Sequence, residues 1–139
     1  MGVFVALELD KIFDELFPIC RSITGEGLRQ SLAICSQYIP LTIESTPSGE
    51  EVFDWVVPPE WNITSARLTG PDGEVVADFS EHNLRVVNYS APVTAELPLE
   101  ELKKHLHSLP HLPDLIPYVT SYYRENWGFC LTHHELTAL

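Results

Sequence analysis

Asn62-Ile63-Thr64-Ser65-Ala66-Arg67-Leu68-Thr69-Gly70-Pro71-Asp72-Gly73-Glu74-Val75-Val76-Ala77-Asp78-Phe79 reads as two strands joined by a tight reversal. Pro71 presets φ, Gly70 and Gly73 open the positive-φ region, and Asp72 favours a turn through its own backbone, so the four-residue link has a mechanism for reversing the chain. Upstream, Leu41-Thr42-Ile43-Glu44-Ser45-Thr46 alternates apolar and polar residues, as a half-buried strand does. Val52-Phe53-Asp54-Trp55-Val56-Val57 is apolar on both faces apart from Asp54 and predicts a strand inside a sheet, ended by Pro58-Pro59. Downstream, Leu84-Arg85-Val86-Val87-Asn88-Tyr89 predicts another strand. Strands so closely spaced, without helices between them, predict a small antiparallel β unit in place of βαβ repeats.

Helical signals flank this unit. Leu9, Ile12, Phe13, Leu16 and Phe17 recur at three- and four-residue steps within residues 4–17, and Pro18 ends the pattern. Thr24 is a candidate cap for a second helix reaching about Tyr38. Pro98 to Leu106 has proline at the start, acids early and bases late, which predicts a short surface helix. Residues 108–117 hold three prolines and predict an extended linker. Thr132-His133-His134-Glu135 has the form of a capping box, so a third major helix starts there. The fold class is α+β: helices at both ends, a β unit between them.

Composition narrows the function classes. Twenty acids against eight bases give a net charge of −12, so no basic stripe is present to bind nucleic acid. The apolar N-terminal residues lack a basic lead and run into Glu8 and Asp10, which fits neither a signal peptide nor a membrane span. Cys20, Cys35 and Cys130 are odd in number and lack CxxC spacing, pointing to a reducing cytoplasm and away from a thiolate zinc site. Six histidines include no HExxH; His105 and His107 diverge on the predicted helix, and His133 and His134 are adjacent. No metal ligands and no catalytic residues are therefore assigned.

Two stretches carry candidate binding chemistry. In Ile19-Cys20-Arg21-Ser22-Ile23-Thr24-Gly25-Glu26-Gly27, Arg21 and Ser22 stand beside free N–H groups before a helix, which suits either a carboxylate contact or an ordinary capped turn. Residues 116–130 interleave Tyr118, Tyr122, Tyr123 and Trp127 with Thr120, Ser121, Arg124 and Asn126. Rings with a polar rim suit the wall of a pocket, and such rings also build ordinary cores. Cys130, between Phe129 and Leu131, reads as a small buried hydrophobe.

Four groups of residues then carry a family resemblance. Arg21 to Gly27; Phe53-Asp54-Trp55 with Val57-Pro58 and Glu60-Trp61; His82-Asn83-Leu84 with Val87 to Ser90; and Ile116 to Tyr123 with Trp127 to Leu131 together resemble the bacterial and archaeal aminopeptidase-like proteins that carry a polysaccharide-biosynthesis label. The resemblance implies a zinc-peptidase-like α/β domain interrupted near its start by a β domain. Residues 1–40 would be the N-terminal helical part, 41–113 the inserted β domain, and 114–139 the return into the peptidase-like domain. It also implies zinc in the full-length family, with ligands downstream of the stretch matching Trp127 to Leu131, so that none falls in this chain. The expected substrate is a peptide or small molecule, with Arg21, Ser22, Tyr118, Ser121, Tyr122 and Trp127 on its approach. The chain would be the N-terminal third of such an enzyme, with apolar faces left for self-association or a partner chain. The alternative is a non-catalytic β module that meets a partner or a carbohydrate through Phe53, Trp55 and Trp61.

Overall fold

The computed structural model describes residues 9–122 and 124–139. The chain divides into two compact units, the first ending at Asn62 and the second spanning Ile63–Leu139.

The first unit opens with helix α1, Leu9–Leu16. Residues before Leu9, where the sequence pattern also predicts helix, lie outside the described residues. Phe13 and Phe17, one turn apart, stack with ring centroids 5.4 Å apart. Helix α2, Glu26–Cys35, starts at Gly25, and no side chain of the capping residue closes it. The expectation that Thr24 is the cap is therefore corrected: Thr24 Oγ1 accepts from the Trp61 N–H at 3.2 Å. The cap comes from far along the chain, since the Glu26 N–H donates to Asn62 Oδ1 at 2.7 Å.

The strand expected at Leu41 to Thr46 does not form; these residues are exposed and pair with no ladder. Alternation alone does not make a strand where no neighbour takes its N–H and C=O groups. The single strand expected from Val52 to Val57 is also corrected. Strands β1, Glu51–Val52, and β2, Trp55–Val56, pair antiparallel in a hairpin that turns at Phe53-Asp54. Apolar residues on both sides here reflect exposure at a reversal and not burial between sheets.

In the second unit the Gly70-to-Gly73 reversal forms as expected. Strands β3, Arg67–Thr69, and β4, Val75–Asp78, pair antiparallel, with Gly73 at φ 83 and the Gly70 N–H donating to Glu74 O at 2.9 Å. The strand expected at Leu84 to Tyr89 begins instead as a 3-10 turn, Asn83–Arg85, because the His82 ring accepts from the Leu84 N–H and closes it. Residues from Val86 on then extend, with Val86 bridging Phe129 antiparallel and Asn88 bridging Thr120 in parallel. Helix α3 occupies Leu99–Leu102 and passes through a 3-10 turn into strand β5, Leu106–His107, which runs parallel to β6, Phe129–Cys130. The predicted helix thus stops earlier than its charge pattern suggests, because Leu106 is drawn into the core beside Phe129. Helix α4, His133–Ala138, starts with both halves of the expected capping box around Thr132 and Glu135.

Ala77, Val86, Leu106, Phe129 and Leu131 form the buried core of this unit. Helices and small sheets together make the α+β class predicted from the sequence. No helix among the described residues is long and apolar enough to cross a membrane.

Candidate functional site

The chain from Val86 to Ser90 runs between two neighbours. On one side the Asn88 N–H donates to Val119 O at 2.8 Å and Asn88 O accepts from the Ser121 N–H at 2.9 Å. On the other, the Val87 N–H donates to Gly128 O at 3.0 Å and the Ala91 N–H to Asn126 O at 2.8 Å. This lattice brings the two ends of the aromatic stretch onto one short extended segment, and it fixes Ser121 and Tyr122 beside Tyr89. Ser121 Oγ donates to Tyr89 O at 3.1 Å, and the Tyr122 ring meets the Tyr89 ring edge-on with centroids 5.2 Å apart.

Two features of the segment have no counterpart in the sequence expectations. Tyr89 holds φ 67, a left-handed conformation that a bulky residue adopts at a cost. Asn88 is 6% exposed, and its Oδ1 is buried without a hydrogen-bond partner among the described residues. Strained or unsatisfied groups of this kind concentrate where function competes with stability. The motif Asn88-Tyr89-Ser90 was visible in the sequence, but its neighbour, Ser121, lies 32 residues from Tyr89.

The other expected residues are placed as follows. Tyr118 is exposed. Trp127 is half-buried and stacks on His105, ring centroids 3.9 Å apart and planes 8° apart, while its carbonyl sits 3.0 Å from His105 Nδ1. Arg21 and Ser22 belong to the first unit. Arg21 Nη1 donates to Leu16 O at 2.5 Å, a cation on the C-terminal carbonyls of α1. The N-terminal N–H of α2 at Glu26 is taken by Asn62, which leaves that group unavailable to a ligand. Around it Arg29 meets Glu60 through both guanidinium nitrogens, and Asn62 Nδ2 donates to Glu60 Oε1 at 3.0 Å. Those bonds hold the Glu60 carboxyl well down, at about 2.

The histidines do not converge. Among the described residues no group of three or more His, Cys, Asp or Glu is placed to hold a metal ion. The helix on which His105 and His107 were expected to diverge gives way to a 3-10 turn ending at His105 and a strand holding His107. Among the described residues His107 Nε2 is buried without a partner, and burial, with His105 nearby, pushes the ring's pKa down. His133 Nδ1 is 2.9 Å from Ser108 Oγ, and His134 is 3.4 Å from Asp114 at the surface. Among the described residues these histidines do not form a zinc donor set.

Cys130 is fully buried, and burial pushes its thiol up to about 11 against a small opposing effect of the Val119 N–H. In the folded protein at pH 8, Cys130 should label with a disulfide reagent about a hundredfold more slowly than Cys35, which is partly exposed. Equal rates without denaturant, read by mass spectrometry of the labelled peptides, would show that β6 opens readily.

Comparison with known proteins gives three matches. The family model described as a domain of unknown function, DUF2172, matches residues 60–139. A Clostridium acetobutylicum protein, provisionally named a polysaccharide biosynthesis protein with aminopeptidase-like domain, is 52% identical over 132 residues. That alignment covers 95% of this chain and 30% of the relative. A crystal structure from Clostridium acetobutylicum, provisionally named a peptidase, superposes with a TM-score of 0.88 at 52% identity. It is matched over 95% of this chain and 31% of its own. The chain thus spans about 30% of the length of the relatives it matches, as the resemblance of its four motifs implied. The matched span takes in the hairpin, the Val86 to Ser90 segment and the aromatic stretch, and on it the chain belongs to the DUF2172 family.

Proposed function

We propose that this chain is the N-terminal portion of a zinc-dependent aminopeptidase-like hydrolase whose metal ligands lie outside these 139 residues, so that it does not hydrolyse peptides alone. The observation that carries the reading is the 52% identity, sustained over 95% of the chain, to proteins named for an aminopeptidase-like domain and a peptidase. In this reading residues 41–113 are a β insert and 114–139 the return into the peptidase-like domain. Hairpins on both sides of Asn62 support a β-rich centre. Three free cysteines support a reducing, cytoplasmic setting.

The chain contributes a wall of the substrate approach. Ser121 and Tyr122, anchored on Tyr89, present a hydroxyl and a ring; Tyr118 adds an exposed ring, and Trp127 stacks on His105. Arg21 and Ser22, in the first unit, are a separate candidate contact for an anionic group. The full-length Clostridium acetobutylicum relative, altered at the positions matching Ser121→Ala and Tyr122→Phe, should show a KM for aminoacyl substrates raised about three- to tenfold with kcat nearly kept. Unchanged kcat/KM in both variants overturns the wall assignment. Stoichiometric zinc bound by the purified 139-residue chain would overturn the location of the ligands.

A further inference from the structure

Residues 105–107 close around Gly128. A Cβ on Gly128 would lie 2.6 Å from His105 O, 3.0 Å from Val87 Cγ2 and 3.3 Å from His107 Nε2, so three stretches of chain meet where residue 128 has no side chain. On one side the His105 ring stacks on Trp127, and His105 Nδ1 lies 3.0 Å from Trp127 O. A carbonyl only accepts, so Nδ1 carries its hydrogen in both charge states of the ring. A proton added to His105 therefore goes to Nε2 and leaves that bond in place. His107 differs. Its Nε2 is buried over Gly128 with no partner among the described residues. An imidazolium carries a hydrogen on both nitrogens, so protonation sets a donor and a charge where nothing takes them.

Among the described residues the neighbouring elements set no anion against the ring. Cys130, opposite His107 in register on β6, keeps its thiol protonated because burial pushes it up to about 11. Lys103 and Lys104, in the turn before β5, pair with Glu100 and Glu101. Arg85, in the 3-10 turn beside β6, pairs with Glu135 of α4, and the His82 ring takes the Leu84 N–H of that turn. His133 of α4 bonds with Ser108, and Glu125 is exposed. Burial, foremost, and the nearby His105 favour the neutral His107 ring.

We infer that His107 is a proton-operated latch: neutral, it closes β5 over Gly128 and β6; protonated, it leaves its buried place and lets residues 126–128 part from Val87 and Ala91. In the closed form Gly128 O takes the Val87 N–H at 3.0 Å and Asn126 O takes the Ala91 N–H at 2.8 Å. Tyr89 lies between those two bonds, so acid loosens the support of Ser121 and Tyr122 while the His105–Trp127 stack holds. The closed latch binds fewer protons than the open one. It is at full strength above the ring's ordinary 6.5 and weakens as pH falls below it. The latch depends on packing within the second unit and not on the peptidase reading.

Amide hydrogen exchange of the whole 139-residue chain, followed by NMR and corrected for the intrinsic effect of pH, reads the latch at named bonds. The Leu131 N–H donates to His107 O at 2.9 Å and reports on β5 against β6, and the Val87 N–H reports on the released segment. The Phe79 N–H, which donates to Ala66 O at 2.9 Å at the end of the β3–β4 hairpin, is the control. From pH 7.5 to pH 5 the protection of Leu131 and Val87 should fall about fivefold or more, with Phe79 within about twofold. His107→Gln, which cannot take the proton, should abolish the fall. The imidazole signals of His107 in the wild type should titrate with the same midpoint as the loss of protection, which decides the matter even where the variant does not fold. Equal protection at the two pH values, a parallel fall at Phe79, a fall that survives His107→Gln, or a midpoint that belongs to another histidine overturns the proposal.

Discussion

Gly25→Ala is expected to destabilise the protein by about 3 kcal/mol or more, a shift in thermal midpoint on the order of 10 °C. Gly25 holds φ 91 and ψ −177, a region open essentially to glycine alone. A Cβ there would lie 2.2 Å from Trp61 O and 2.8 Å from Asn62 Oδ1. Neither oxygen can step aside cheaply. Trp61 O is backbone, and the Trp61 N–H is already held by Thr24. Asn62 Oδ1 is the acceptor that closes the N-terminus of α2. The substitution therefore costs torsional strain, a close contact and a cap together. Gly49→Ala separates these effects: Gly49 has φ 87 but open space around it, so it should lose only about 1 kcal/mol. If thermal melts place the two variants within about 1 kcal/mol of each other, the contact with residues 61 and 62 does not hold this unit together.

The same clamp shows why parts of the structure were legible in the sequence and parts were not. The Gly70-to-Gly73 turn and the Thr132–Glu135 capping box depend on residues within four positions of each other, and both formed as read. The cap of α2 depends on a side chain 36 residues away, and Thr24, the local candidate, is occupied 37 residues away. Local chemistry proposes Thr24; the approach of Asn62 decides otherwise. The run Val52 to Val57 failed for another reason: an apolar pattern reports that rings and branched chains are present, not whether a neighbour covers them, and here the chain turns back at Phe53. For the candidate site, residues 116–130 were recognisable from their composition. That Ser121 and Tyr122 pair with Tyr89 was not, because the parallel bridge between Asn88 and Thr120 is a long-range contact with no signature of its own.

In the second unit the largest electrostatic effect should come from Arg85 and Glu135. Arg85 Nη1 and Nη2 reach the two Glu135 oxygens at 2.6 and 2.9 Å, with Arg85 13% and Glu135 34% exposed. The same carboxylate accepts from the Thr132 N–H and hydroxyl, so one group closes α4 and ties it to the turn before Val86. Arg85→Met should cost about 2–3 kcal/mol, below the range for fully buried pairs because Glu135 is partly solvated. The double variant Arg85→Met/Glu135→Leu should recover part of that loss by removing the stranded charge, less the capping contribution of about 1 kcal/mol. Acid gives an independent check. The Arg85 bond, foremost, holds the Glu135 carboxyl at about 2, below its ordinary 4.5. A lowered carboxylate pKa gives stability that is present in full above about pH 4.5 and is lost as pH falls through 2. The gap between wild type and Arg85→Met, measured by denaturant melts, should thus be level down to about pH 4.5 and close between there and pH 2. Asp78 and Glu60 are also held at about 2, so both proteins lose stability in that window. The difference between them isolates Glu135, and a gap that stays constant to pH 2 would mean that the pair seen in the fold does not act as an ion pair in solution.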